Sequence, residues 1–72
     1  MEKTRIGIIG VGNISELHIQ AYQNDPRVEL YAFCDIDPEI LAQKGKKYGV
    51  ERLYTNLDEM LALPELEGVS VC

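Results

Sequence analysis

The chain is expected to form an α/β parallel sheet, β-α-β-α-β in order, and its residues give the reasons. Apolar, β-branched runs at Arg5 to Val11, Val28 to Asp35 and Val69 to Cys72 read as strands. Between them, apolar residues recur at helical spacing in stretches bounded by Asp, Asn, Pro and Gly. Alternation of this kind means right-handed β-α-β units and hence parallel strands.

Each element has its own signals. From Ile14 to about Asn24, the residues Ile14, Leu17, Ala21 and Tyr22 form the expected inward side of a first helix, with Glu16, Gln20 and Gln23 opposite. Asn24-Asp25-Pro26 stops it, because Pro26 cannot continue a helix and restricts Asp25. The second strand, V-E-L-Y-A-F-C-D, is apolar after Glu29 until Asp35. Asp37-Pro38 starts a second helix, with Asp37 as cap and Pro38 in the first turn. Ile40, Leu41, the stem of Lys44 and Tyr48 share one side of it, and Gly49 suits a left-handed end. Arg52 to Thr55 is a strand stub. Asn56 with Glu59 resembles a capping box opening a short helix that turns Leu57, Met60 and Leu61 inward and stops near Pro64.

Length and composition narrow the function. A chain of 72 residues makes at most one small domain, and a domain of this size buries only about 60% of its unfolded surface. Hydrophobic residues at 46% and charged residues at 26% are ordinary globular values, not those of a disordered chain. No apolar run approaches the roughly 20 residues a membrane span requires. Lys3 and Arg5 before Ile6 to Val11 lack the long apolar region and cleavage site of a signal peptide, so a cytoplasmic protein is expected. A net charge of −5 offers no footprint for phosphate backbones, which argues against a nucleic-acid partner. Lys44, Lys46 and Lys47 form the basic cluster; the solvated last turn of a helix explains it better than a 2′-phosphate site. Cys34 and Cys72, without a CxxC or a His/Cys cluster, make no metal site and read as buried thiols.

The stretch I-G-I-I-G-V-G-N-I-S carries the chemistry. A glycine turn joining a first strand to a helix serves three ends. The first glycine permits the tight turn, the second lets backbone approach a pyrophosphate, and the third allows close helix–strand packing. Gly10 and Gly12 take the first two positions, Asn13 and Ile14 offer amides at the helix start, and Ser15 stands at the third. Serine adds little volume there, so a slightly wider helix–strand contact is expected. Asp35 ends the second strand, where a carboxylate can accept from ribose hydroxyls. It would repel a 2′-phosphate, Asp37 follows closely, and no Arg or Lys comes directly after. NAD is therefore favoured over NADP. His18, the single histidine, is expected to pack beside Ile14, Ala21 and Tyr22 rather than to shuttle protons.

Together, R-I-G-I-I-G-V-G-N-I-S-E-L-H-I, V-E-L-Y-A-F-C-D-I-D-P, K-Y-G-V-E-R-L-Y-T-N-L-D-E-M-L and V-S-V-C resemble the N-terminal part of the Gfo/Idh/MocA family, the glucose–fructose oxidoreductase and inositol 2-dehydrogenase relatives. The resemblance covers essentially the whole chain. It implies a Rossmann-type doubly wound nucleotide-binding domain, here incomplete, followed in the full protein by an α+β substrate domain. It also implies hydride transfer between NAD or NADP and a sugar, inositol or related polyol, by a homo-oligomer when full length. Gly10, Gly12, Asn13, Ile14 and Asp35 would bind the cofactor, with Ile36 near the adenosine. The family's catalytic lysine and its substrate-domain Asp and His match no position before Cys72, so no catalytic residue carries over.

Two other classes stay open on sequence grounds. A non-catalytic nucleotide-binding module would lack the lysine segment downstream. An S-adenosylmethionine-dependent methyltransferase would usually carry an acid just before the glycines, where Ile8 and Ile9 stand. P-loop hydrolysis is excluded, since no Gly-Lys-Ser/Thr follows the turn. The strands are apolar on both faces, as in sheets covered on both sides. Crossovers running in one direction would cover only one face and leave the other bare. The chain is thus expected to be an excerpt of a longer enzyme, holding the first half of the ligand crevice.

Overall fold

In the computed structural model, which describes residues 3–12 and 16–71, strands and helices alternate. The order is β1 (Thr4–Ile9), α1 (Glu16–Gln23), β2 (Val28–Cys34), α2 (Pro38–Tyr48), β3 (Arg52–Tyr54), α3 (Leu57–Leu61) and β4 (Gly68–Val71). Every strand pairing is parallel, and the sheet runs β3-β2-β1-β4. The stub expected after Tyr48 is thus a full member of the sheet, with Ala32 opposite Arg52 and Cys34 opposite Tyr54.

This order corrects two expectations. The chain steps from β1 to β2 to β3 in one direction, then returns past β1 to lay β4 on its far side. Strand order therefore reverses between β1 and β4, and both strands flanking the reversal are present, not half of the crevice. The return also carries α3 to the opposite face from α1 and α2, so the second face is not bare. On the first face, Ile8, Val11, Ile19, Phe33, Leu41 and Val50 form the core. On the second, Tyr31, Ala32, Cys34 and Met60 pack with Leu63 and Leu66. A register shift between Ile6 and Gly7 leaves Tyr31 unopposed, so Tyr31 and its neighbour Ala32 both serve that second face.

The ends of α2 form as the sequence predicts. The Asp37 carboxylate accepts from the Glu39 and Ile40 amides at 2.9 and 3.4 Å, and Gly49 closes the helix at φ 72°. The Asn56 side chain caps α3 by accepting from the Glu59 amide at 3.3 Å. The faces of the other helices differ from expectation. In α1 the fully buried residue is Ile19, with Tyr22 half-buried, while Leu17 is 77% exposed and Ala21 is exposed. Both stripes satisfy helical spacing. Glu16 lies one turn before Ile19, on the same stripe, and its ties to α2 turn that stripe inward. In α3, Met60 alone is fully buried; Leu57 and Leu61 remain 40% and 50% exposed. Among the described residues, no helix is long and apolar enough to cross a membrane.

Candidate functional site

The site grows from the C-terminal tips of β1, β2 and β3. After Ile9 the chain turns at Gly10, whose φ of 83° lies in the left-handed region that a side chain disfavours. The Gly10 amide donates to the Cys34 carbonyl at 2.8 Å, continuing the β1–β2 ladder into the turn. The next amide, that of Val11, donates to Asp35 Oδ2 at 3.0 Å, while the Val11 side chain is fully buried in the first core. Asp35 Oδ1 accepts from the Asp37 amide at 3.0 Å, and the Asp35 amide donates to the Tyr54 carbonyl at 3.1 Å. One residue thus joins the glycine turn, the start of α2 and the tip of β3. A carboxylate offers about four lone-pair sites, so two remain for hydroxyls of a ligand.

Beside this junction lies a cleft of about 420 Å³ lined by Ile9, Gly10, Cys34, Asp35, Ile36, Thr55 and Leu57. Ile36 is 91% exposed at its rim. Burial, and then the neighbouring Asp35, push the Cys34 thiol up, so it forms a neutral wall at ordinary pH. Of the sequence-predicted residues, Gly10, Asp35 and Ile36 line this one cleft. Gly12 follows in the turn; a Cβ at that position would meet no heavy atom of the described residues within 4 Å. Asn13, Ile14 and Ser15 lie outside the described residues. Thr55 and Leu57 were not foreseen. The signal for them was the stub itself, since a strand paired with Cys34 must place its following residues beside Asp35.

Two further expectations change. His18 is exposed, not packed against the helix neighbours. Lys44 and Lys47 are not simply solvated: both pair with the Glu16 carboxylate, and the Tyr48 hydroxyl donates to Glu16 Oε1 at 2.5 Å. These contacts, led by Lys44, hold the Glu16 carboxyl down at about 2. Lys46 stays exposed in the last turn of α2, where a cation complements the dipole.

A parallel sheet reversing at β1, a glycine turn tied to an acid at the tip of β2, and a cleft between them define a Rossmann-type NAD-binding domain. Residues 4–72 match the GFO_IDH_MocA family, described as an oxidoreductase family with an NAD-binding Rossmann fold, and the chain belongs to that family. It is 36% identical over 64 residues to D-apiose dehydrogenase of Paraburkholderia graminis, covering 89% of this chain and 17% of that protein. It is 34% identical over 68 residues to myo-inositol 2-dehydrogenase of Thermotoga maritima, covering 94% and 20% respectively. The crystal structure of the WlbA dehydrogenase from Bordetella pertussis, in complex with NADH and UDP-GlcNAcA, matches with a TM-score of 0.87 and 35% identity over 99% of this chain and 22% of that one. The chain spans about a fifth of the length of these curated relatives. Neither a methyltransferase nor a non-catalytic module is favoured by these matches.

Proposed function

We propose that this chain is the N-terminal part of the dinucleotide-binding domain of a dehydrogenase that moves hydride between NAD and a sugar, inositol or related polyol. The observation that carries the reading is the tie between Val11 and Asp35, which sets the glycine turn against an acid at the strand tip, beside an open cleft. The Asp35 carboxylate accepts from the ribose hydroxyls. The amides after Gly10 and Gly12, those of Asn13 and Ile14 among them, receive the pyrophosphate, and Ile36 lies against the adenine. Bound there, the nicotinamide supplies the hydride chemistry; this chain contributes binding and orientation. The substrate domain and the catalytic groups belong to the remainder of a longer protein, which we place in the cytoplasm as a homo-oligomer.

NAD rather than NADP fits the charges. Asp35 faces the position of a 2′-phosphate, apolar Ile36 follows it, and Lys44 and Lys47 are engaged by Glu16. Calorimetric titration of the protein carrying this chain with NADH and NADPH tests the reading. NADH is expected to bind at least about tenfold more tightly. Equal affinity, or preference for NADPH, would refute the assignment of Asp35 to the ribose.

A further inference from the structure

α1 has little to hold it. It spans Glu16–Gln23, buries Ile19 completely and leaves Leu17 exposed. Its first turn, however, carries the densest polar contact among the described residues. The Glu16 carboxylate accepts from Lys44, Lys47 and the Tyr48 hydroxyl, all in the last part of α2. Lys44 is only 12% exposed and Glu16 21%, so this pairing is better shielded from water than a typical surface ion pair. Tyr48 stacks edge-on against the fully buried Phe33 at 6.3 Å, and the Lys47 ammonium lies 5.4 Å from the centre of the Tyr48 ring. Phe33 stands two residues before Asp35 on β2. The cluster therefore reaches from the helix that follows the glycine turn to the strand that carries the acid. Each charge also sits at the helix end its sign prefers: the acid in the first turn of α1, the bases toward the C-terminal end of α2.

We infer that Glu16 is a positioning residue: clamped by Lys44, Lys47 and Tyr48, it fixes the first turn of α1, and with it the glycine turn, in the orientation that receives the dinucleotide. The inference rests on the dinucleotide reading above. Among the described residues, Ile19 and Tyr22 are the apolar side chains that seat α1 in the core, and without the clamp the helix would pivot about them. The turn would then have to be ordered at each binding event, at a cost in affinity.

The test uses the protein carrying this chain and NADH as the probe. Glu16→Gln, and separately the Lys44→Met/Lys47→Met pair, are each expected to raise the NADH Kd by about three- to fivefold. Glu16→Lys combined with both Lys44→Glu and Lys47→Glu rebuilds the two ion pairs with reversed signs. It is expected to bring the Kd back to within about twofold of the unaltered protein. Circular dichroism and urea midpoints report folding separately. An unchanged Kd in Glu16→Gln, even with a lowered urea midpoint, would overturn the inference, because a merely structural role moves stability and not binding. A folded charge-reversed variant that regains no affinity would overturn it as well. If the unaltered protein bound no NADH, the dinucleotide reading itself would fall, and this inference with it.

Discussion

Replacing Asp35 with asparagine probes the junction on which the site is built. In the native chain the two carboxylate oxygens receive separate amides, Val11 on Oδ2 and Asp37 on Oδ1, each at 3.0 Å. Asparagine is almost the same shape but keeps a single acceptor oxygen, so its NH2 must face the other amide, donor against donor. The side chain will turn to spare one of the two. A hydrogen bond to a charged group contributes about 1.5–3 kcal/mol, and a buried amide left without an acceptor costs about 1–3 kcal/mol. Val11 is fully buried and cannot turn its amide to water without leaving the core. The expected loss is therefore about 2–3 kcal/mol in Asp35→Asn, and about 3–5 kcal/mol in Asp35→Ala, where both amides lose their acceptor. Urea unfolding monitored by circular dichroism measures it, as a lowered midpoint at unchanged slope. Asp35→Asn unfolding at the native midpoint would refute the claim that this carboxylate anchors the glycine turn.

Other positions give independent checks. A Cβ on Gly45 would lie 2.8 Å from the Val50 carbonyl oxygen and 2.9 Å from Leu53 Cδ1. Gly45→Ala should therefore destabilise by about 1–3 kcal/mol despite alanine's better helix propensity; a stabilised variant in urea would show that α2 does not sit this close to the start of β3. Met60 is fully buried between α3 and the sheet, so Met60→Ala should cost about 2–4 kcal/mol in the same assay. A neutral result would return the second face to solvent. The Glu16 carboxyl is lowered from 4.5 to about 2, first by Lys44. A group depressed by folding contributes stability that is present above its unfolded value and lost as pH falls through the folded one. The native protein should thus lose this contribution between about pH 4.5 and 2, and Glu16→Gln should lack that part of the acid limb. Parallel stability profiles for the two proteins over that range would contradict the pairing.

Local chemistry made much of this molecule readable in the sequence. Asp37-Pro38 and Gly49 bound α2 because caps and left-handed ends depend on a few neighbouring residues. Gly10 and Asp35 could be paired because turn, helix and strand lengths bring strand tips together. What the sequence did not disclose was tertiary. Two helical stripes competed in α1, and nothing in Leu17 or Ile19 alone chooses between them; an ion cluster with α2, a separate element, decides. The second face looked bare because a short segment such as Leu57 to Leu61 does not announce which way the chain crosses. The return past β1 settled that, while the pairing of β3 with β2 brought Thr55 and Leu57 to the cleft. The hydrogen bond from Val11 to Asp35 was invisible for a related reason. Sequence spacing suggested a ligand for that carboxylate, while the fold also uses it to hold the turn that would receive the ligand.

The central claim is that the cleft beside Asp35 receives the adenosine end of a nicotinamide dinucleotide. A crystal structure of the protein carrying this chain, grown with NADH, tests it most directly. Ribose hydroxyls are expected within hydrogen-bond distance of the Asp35 carboxylate, pyrophosphate against the backbone from Gly10 to Gly12, and adenine beside Ile36 and Leu57. Well-defined NADH bound elsewhere, with Asp35 still holding only the Val11 and Asp37 amides, would contradict it.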